Sequence, residues 1–238
     1  RTLIQYRWGN DKVMIINSII SLPGDKSISH RSIMLTSIAS GVSRITNLND
    51  GEDLQSTIKA MQSCGALIKQ DKDLIVVTGS SLANPKEPID CGNSGTTSRL
   101  LTGLLSSQHL SFSLIGDESL SKRPMNRVIK PLKEMGCIIK SNDGLLPLHI
   151  DASNSFKGID YKMPIASAQV KSAILLAGLG AKNPSVVREL KHSRNHSEIM
   201  LESMGANIVV DDNNITINPL SSKLKSFNMD IPADPSSA

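Results

Sequence analysis

Three stretches of this sequence set small and hydroxyl residues directly ahead of a cation and an apolar run. They are Pro23-Gly24-Asp25-Lys26-Ser27-Ile28-Ser29-His30-Arg31, Cys91-Gly92-Asn93-Ser94-Gly95-Thr96-Thr97-Ser98-Arg99 and Ile165-Ala166-Ser167-Ala168-Gln169-Val170-Lys171. The first amides of a helix have no internal partner, and the helix dipole adds positive potential there, so such starts favour anions. Ser and Thr add hydroxyl donors, and Gly lets backbone approach closely. Lys26, Arg31, Arg99 and Lys171 would turn three converging helix ends into a trap for a multiply charged ligand. A Ser at a helix start also serves as a plain N-cap, and a lone Lys or Arg as a solvated surface charge. Capping, however, calls for no cation in each of three loops. Gly24-Asp25-Lys26-Ser27 is not a nucleotide P-loop: Ile19 and Ile20 stand where the earlier Gly would fall, and Asp25 separates Gly24 from Lys26.

Further cations stand where second helices should begin. Arg123 and Arg127 follow Asp117-Glu118, with Pro124 suited to a first helical turn. Arg194 and His196 lie in Ser193-Arg194-Asn195-His196-Ser197-Glu198. The Arg fork suits carboxylate or phosphate, because it donates two parallel hydrogen bonds. The Ser193–Glu198 run reads equally well as a helix cap with Glu198 supporting the first turn. Asp50, Glu52 and Asp53 sit at a helix start, where acids complement the dipole.

The elements that must position these residues repeat. After each loop comes an apolar helix, carrying Met34, Leu35, Ile38 and Ala39, then Leu100, Leu101, Leu104 and Leu105, then Ala173, Ile174 and Ala177. A short strand follows at Val42 to Leu48, Leu110 to Ile115 and Val186 to Leu190. A second helix ends at Met61 to Gly65, Met135-Gly136 and Met204-Gly205, and a hairpin closes the unit. Turns fall at Gln70-Asp71-Lys72-Asp73 and Asp211-Asp212-Asn213-Asn214. The spacing is 71 residues from Gly65 to Gly136 and 69 from Gly136 to Gly205; it is 68 from Arg31 to Arg99 and 72 from Arg99 to Lys171. Two independent landmarks share one period. The fold class is therefore α/β (α+β), an inside-out α/β barrel of three β-α-β-α-β-β repeats. The first helices are apolar on most sides, so helices lie inside and sheets outside. Residues 233–238, Ala-Asp-Pro-Ser-Ser-Ala, read as the opening of a fourth loop.

Composition narrows the function. The net charge of +4 favours anionic partners, but 3% aromatic residues leave few stacking platforms for nucleic acid. No apolar run is long enough for a membrane span, and residues 1–12 lack the apolar centre of a secretory signal. The three cysteines, Cys64, Cys91 and Cys137, form no CxxC pair, which argues against zinc or a disulfide framework and fits a reducing cytoplasm.

The runs Leu-Pro-Gly-Asp-Lys-Ser-Ile-Ser-His-Arg (22–31), Gly-Asn-Ser-Gly-Thr-Thr-Ser-Arg (92–99), Lys-Arg-Pro-Met (122–125) and Ser-Ala-Gln-Val-Lys-Ser-Ala (167–173) together resemble the EPSP synthase (3-phosphoshikimate 1-carboxyvinyltransferase) family, an enolpyruvyl transferase family. The likeness runs from about Ser21 onward. It implies two domains of three such units each, with the active site in the cleft between them. The family's chain starts in the second domain, crosses to the first and returns. Residues 1–20 then comprise an extension and a strand at 13–20 that belongs to the second domain; residues 21–232 form the first domain, and 233–238 begin the second.

The same resemblance implies transfer of the enolpyruvyl group of phosphoenolpyruvate to the 5-hydroxyl of shikimate-3-phosphate, in aromatic amino acid biosynthesis in the cytoplasm. The reaction passes through a tetrahedral intermediate, with no metal, no cofactor and no covalent enzyme adduct. Lys26 is implied to touch both substrates and is the one catalytic candidate here; Ser27 and Arg31 would hold shikimate-3-phosphate. Ser167, Ala168, Gln169, Ser193 and Arg194 would hold its phosphate and hydroxyls. Asn93, Gly95, Thr96 and Arg123 would line the phosphoenolpyruvate side. A side chain at Gly95 would crowd the inhibitor glyphosate, so Gly implies sensitivity. The acid–base carboxylates are implied to lie beyond Ala238, so the chain alone is expected to bind without turning over. The full-length protein is expected to be a monomer with no nucleic-acid or membrane partner. Two other readings stand beside this one. A UDP-N-acetylglucosamine enolpyruvyl transferase would use a loop Cys, which Cys64, Cys91 and Cys137 do not supply; a non-catalytic anion- or RNA-phosphate-binding module would lack aromatic platforms for bases.

Overall fold

The computed structural model describes residues 22–152 and 156–234, together with the backbone of two strands, β1 (Ile4–Trp8) and β2 (Lys12–Ile16). These two pair antiparallel with each other, Ile4 opposite Ile16. The strand expected at 13–20 thus occupies 12–16; residues 17–20, and 235–238 of the expected fourth loop, lie outside the described residues.

From Leu22 the chain runs through α1 (Lys26–Ile38), β3 (Val42–Thr46), α2 (Glu52–Ser63), β4 (Leu67–Asp71) and β5 (Leu74–Thr78). The second unit is β6 (Ile89–Asp90), α3 (Gly95–Ser107), β7 (Ser111–Ile115), α4 (Glu118–Ser121), α5 (Asn126–Met135), β8 (Ile138–Asn142) and β9 (Leu145–Asp151). The third is β10 (Asp160–Lys162), α6 (Ala168–Gly178), β11 (Ser185–Arg188), α7 (His196–Ser203), β12 (Ile208–Asp211) and β13 (Asn214–Ile217), followed by β14 (Met229–Asp230). Pro124, expected in a first helical turn, instead lies between α4 and α5.

Each unit contributes one four-stranded sheet, in the orders β14-β3-β5-β4, β6-β7-β9-β8 and β10-β11-β13-β12. In every sheet the first strand pairs parallel with the second and the rest are antiparallel. Among the described residues the first unit has no leading strand of its own. β14, from the far end of the chain, takes that place beside β3, with Met229 opposite Ile45. Five side-chain hydrogen bonds that secure it all span 184 residues, among them Thr46 Oγ1 to Asp230 at 2.8 Å and Asn47 to the Ile231 carbonyl at 2.7 Å.

The inside-out arrangement follows from where the apolar residues go. Residues 29–38 of α1, 100–107 of α3 and 170–178 of α6 are buried without a break, and hydroxyls among them, such as Ser32, Thr36, Thr102 and Ser106, donate back to carbonyls of their own helix. Strands alternate instead: β9 is exposed at Pro147, His149 and Asp151 and buried at Leu146, Leu148 and Ile150. One sheet face meets the helices and the other meets solvent. The Met-Gly signals close the second helices, with Gly65, Gly136 and Gly205 at φ +91°, +115° and +88°, a region open to Gly at no steric cost. The hairpins turn on two residues, tighter than expected, at Lys72-Asp73, Asp143-Gly144 and Asp212-Asn213.

Candidate functional site

The three inner helices begin beside one another. Asp25 caps α1 by accepting the Ile28 amide at 2.8 Å, Ser94 caps α3 through the Thr97 amide at 3.1 Å, and Ser167 caps α6 through the Val170 amide at 3.4 Å. Capping and anion binding were alternatives for these loops; here the caps satisfy one amide each and leave the cations to converge. Lys26, Ser27, Arg31, Thr96, Ser167, Ala168, Gln169 and Arg194 line one hollow of about 320 Å³. Cross-helix hydrogen bonds tie its floor: Arg31 donates to Ser172 of α6 at 2.7 Å, and Gln169 Nε2 to Thr96 Oγ1 of α3 at 3.0 Å.

Asn93, Gly95 and Arg123 adjoin it. Arg123 donates to the Asn93 side chain at 2.6 Å and its carbonyl at 3.2 Å, while the Asn93 amide donates to Asp117 at 2.7 Å. Arg99 joins this group to the hollow through the Gly95 carbonyl (3.2 Å), Gln169 Oε1 (3.1 Å) and the Pro124 carbonyl (3.2 Å). A Cβ at Gly95 would stand 2.6 Å from Arg99 Nη1, so glycine there permits the close approach. Ser193 is turned away: its hydroxyl donates to Glu189 Oε1 at 2.5 Å.

The electrostatics favour an anion. Burial, then repulsion from Arg123 and Arg127, lowers the pKa of Arg99. Arg31 is lowered to about 10, chiefly by burial, with Glu198 and Asp25 partly opposing. Like charges thus oppose one another, Arg194 against Arg31 and Arg123 and Arg127 against Arg99, and a bound anion would offset that repulsion. Arg194 has no hydrogen bond or ion pair among the described residues. Two wider hollows are poorer candidates: one is lined by Asp50, Asp73 and Asp230, the wrong sign, and the other mixes Lys86 and Lys140 with Glu87 and Asp151 on an outer sheet face.

Two expectations need correction. Lys171 is not part of the anion trap: it is buried and ion-paired with Glu189 at 2.9 Å and Glu198 at 2.6 Å. Glu198 stands in the first turn of α7 as expected, with its carboxylate also engaged by Lys171, but Asn195 makes no side-chain cap there. Lys26 also has a partner, Asp53, whose role thus exceeds complementing a dipole. His196, one of the cations noted at the second-helix starts but not among the residues the resemblance implies, approaches Ser27 Oγ at 3.0 Å, and its pKa is lowered, first by burial. Its place in the Arg-Asn-His run was the available signal. Burial pushes the thiols up, Cys64 and Cys137 to about 11 and Cys91 to about 12, which makes poor nucleophiles of them.

Three repeats that aim helix starts and guanidinium groups at one hollow define an α/β domain built to hold an anion. Comparison with known proteins specifies it further. The sequence model of EPSP synthase (3-phosphoshikimate 1-carboxyvinyltransferase) matches residues 11–238, and the chain belongs to that family. It is 47% identical over 226 residues to the 3-phosphoshikimate 1-carboxyvinyltransferase of Ruthia magnifica subsp. Calyptogena magnifica, covering 94% of this chain and 52% of that protein. It is also 47% identical over 227 residues to the protein of that name from Oenococcus oeni, covering 94% and 52%. The solved EPSP synthase of Acinetobacter baumannii superposes with a TM-score of 0.87 at 41% identity, covering 91% of this chain and 50% of that one. The chain thus spans about half the length of the curated relatives it matches.

Proposed function

We propose that residues 21–232 are the half of an EPSP synthase that grips shikimate-3-phosphate and one side of phosphoenolpyruvate. The observation that carries this reading is the single hollow where the starts of α1, α3 and α6 meet Lys26, Arg31 and Arg194. Lys26 reaches both substrates after releasing Asp53. Ser27, Arg31, Ser167, the Ala168 amide, Gln169, Ser193 and Arg194 hold shikimate-3-phosphate, Ser193 through its backbone. Asn93, Gly95, Thr96 and Arg123 take the carboxylate and phosphate of phosphoenolpyruvate, the side where glyphosate competes. These groups orient two polyanions and offset their repulsion. Within residues 1–20, an extension leads into a strand at 13–20 that belongs, with residues 233–238, to the second domain, which supplies the proton-transfer carboxylates. The full-length protein works as a cytoplasmic monomer; no helix among the described residues is long and apolar enough to cross a membrane.

Calorimetric titration of the 1–238 chain tests this. Shikimate-3-phosphate binds, whereas UDP-N-acetylglucosamine and a short RNA do not, and adding phosphoenolpyruvate releases no phosphate. Binding of RNA without binding of shikimate-3-phosphate would sink the proposal.

A further inference from the structure

The loop between β11 and α7 carries Ser193 and Arg194, and beneath it lies a charged cluster that the reaction does not use. Lys171 of α6 has a side chain only 1% exposed. Its ammonium reaches Glu189 Oε2 at 2.9 Å, Glu198 Oε1 at 2.6 Å and the Ser193 carbonyl at 3.4 Å. An ammonium has three donors, and all three are committed, so Lys171 has none left for an anion in the hollow.

We infer that Lys171, Glu189 and Glu198 form a buried clamp that positions the Ser193–Arg194 loop, making Lys171 a positioning residue; the inference rests on the site proposed above. Glu189 follows the last residue of β11, and Glu198 lies in the first turn of α7, so the one cation fastens both ends of the loop. The remaining Glu189 oxygen accepts the Ser193 hydroxyl at 2.5 Å. The far end is held again from α6 and α1: Ser197 Oγ donates to Ser172 at 2.7 Å and accepts from Arg31 Nε at 2.7 Å. Arg194, with no side-chain partner among the described residues, takes its place from this backbone alone. Such a cluster is a poor route to stability, since buried ion pairs are commonly replaceable by neutral groups without loss. Glu198 Oε2 even lacks a partner among the described residues. Fixing the loop accounts for what stability does not.

The test is a thermodynamic cycle in the 1–238 chain. A neutral set, Lys171→Met with Glu189→Gln and Glu198→Gln, removes the clamp without stranding a charge. The set melts within a few degrees of the parent but binds shikimate-3-phosphate about tenfold or more weakly, a change of about 1.4 kcal/mol. Arg194→Ala weakens the parent at least tenfold and the neutral set scarcely at all. Amide hydrogen exchange over residues 190–195 quickens about tenfold in the set, in the absence of ligand. Equal Arg194→Ala losses in both backgrounds, or unchanged exchange, overturns the clamp. If the set does not fold, Glu198→Gln alone goes through the same cycle and exchange measurement, and the same outcomes support or overturn the clamp. A parent chain that fails to bind shikimate-3-phosphate overturns the proposed function instead, and the exchange rates still decide the clamp.

Discussion

Replacing Gly95 with Ala probes the join between the hollow and the Arg123 side. The new methyl would fall 2.6 Å from Arg99 Nη1 and 3.6 Å from Arg123 Nη1. The backbone is not the obstacle: Gly95 opens α3 and is absent from the positive-φ glycines. Relief comes by swinging the Arg99 guanidinium, the flexible end of its side chain, away from the Gly95 carbonyl and Gln169 Oε1. Gln169 then loses the contact that orients its amide towards Thr96. Losing one hydrogen bond to a charged group costs roughly 1.5–3 kcal/mol, which is roughly a 10- to 150-fold loss in affinity. Stability should hardly fall, because Ala for Gly at a permissive backbone position gains about 0.4–1 kcal/mol. Thermal unfolding and calorimetric titration with shikimate-3-phosphate read the two quantities separately. The expected pattern is an unchanged or raised Tm with weakened binding. Affinity within twofold of the parent would refute the claim that Arg99 couples Gly95 to Gln169.

Replacing Lys26 with Ala removes a cation from the hollow and leaves Asp53 unpaired, so titration should show about 1.5–3 kcal/mol weaker binding of shikimate-3-phosphate; unchanged affinity argues against its role. Burial lowers His30 to about 4, so below about pH 6.5 the unfolded chain binds a proton that the folded one does not. Stability should therefore fall as pH drops from 6.5 towards about 4, by about 3 kcal/mol for this residue, and no further below. Urea unfolding across that range checks it: His30→Asn should flatten the acid limb, and an identical slope in both proteins would exclude His30 as its source.

The repeat was legible because its punctuation is local. A helix stop at Met-Gly needs a positive φ, and Gly supplies it at all three places, so the period shows without any tertiary knowledge. The three loops at the inner helix starts were legible for the same reason, since small residues and an apolar helix stand together in sequence. What escaped is non-local. β14 is two residues long and has meaning only beside β3. Lys171 matches Arg31 and Arg99 in register, yet two glutamates 18 and 27 positions downstream turn it from ligand cation to buried anchor. Charge type and spacing alone do not tell a solvated cation from a compensated one.

Because β14 completes the first sheet, the chain leaves the third unit and comes back to where the first began. Pro23 and Asp25 then meet Pro232 and Asp234 through two backbone hydrogen bonds, at 2.8 and 3.0 Å. Residues 23–25 and 232–234 therefore run side by side as a short antiparallel pair. The first sheet thus gains its fourth strand only when the chain has been extended through the whole third unit, since Asp230 stands 184 residues after the Thr46 it bonds.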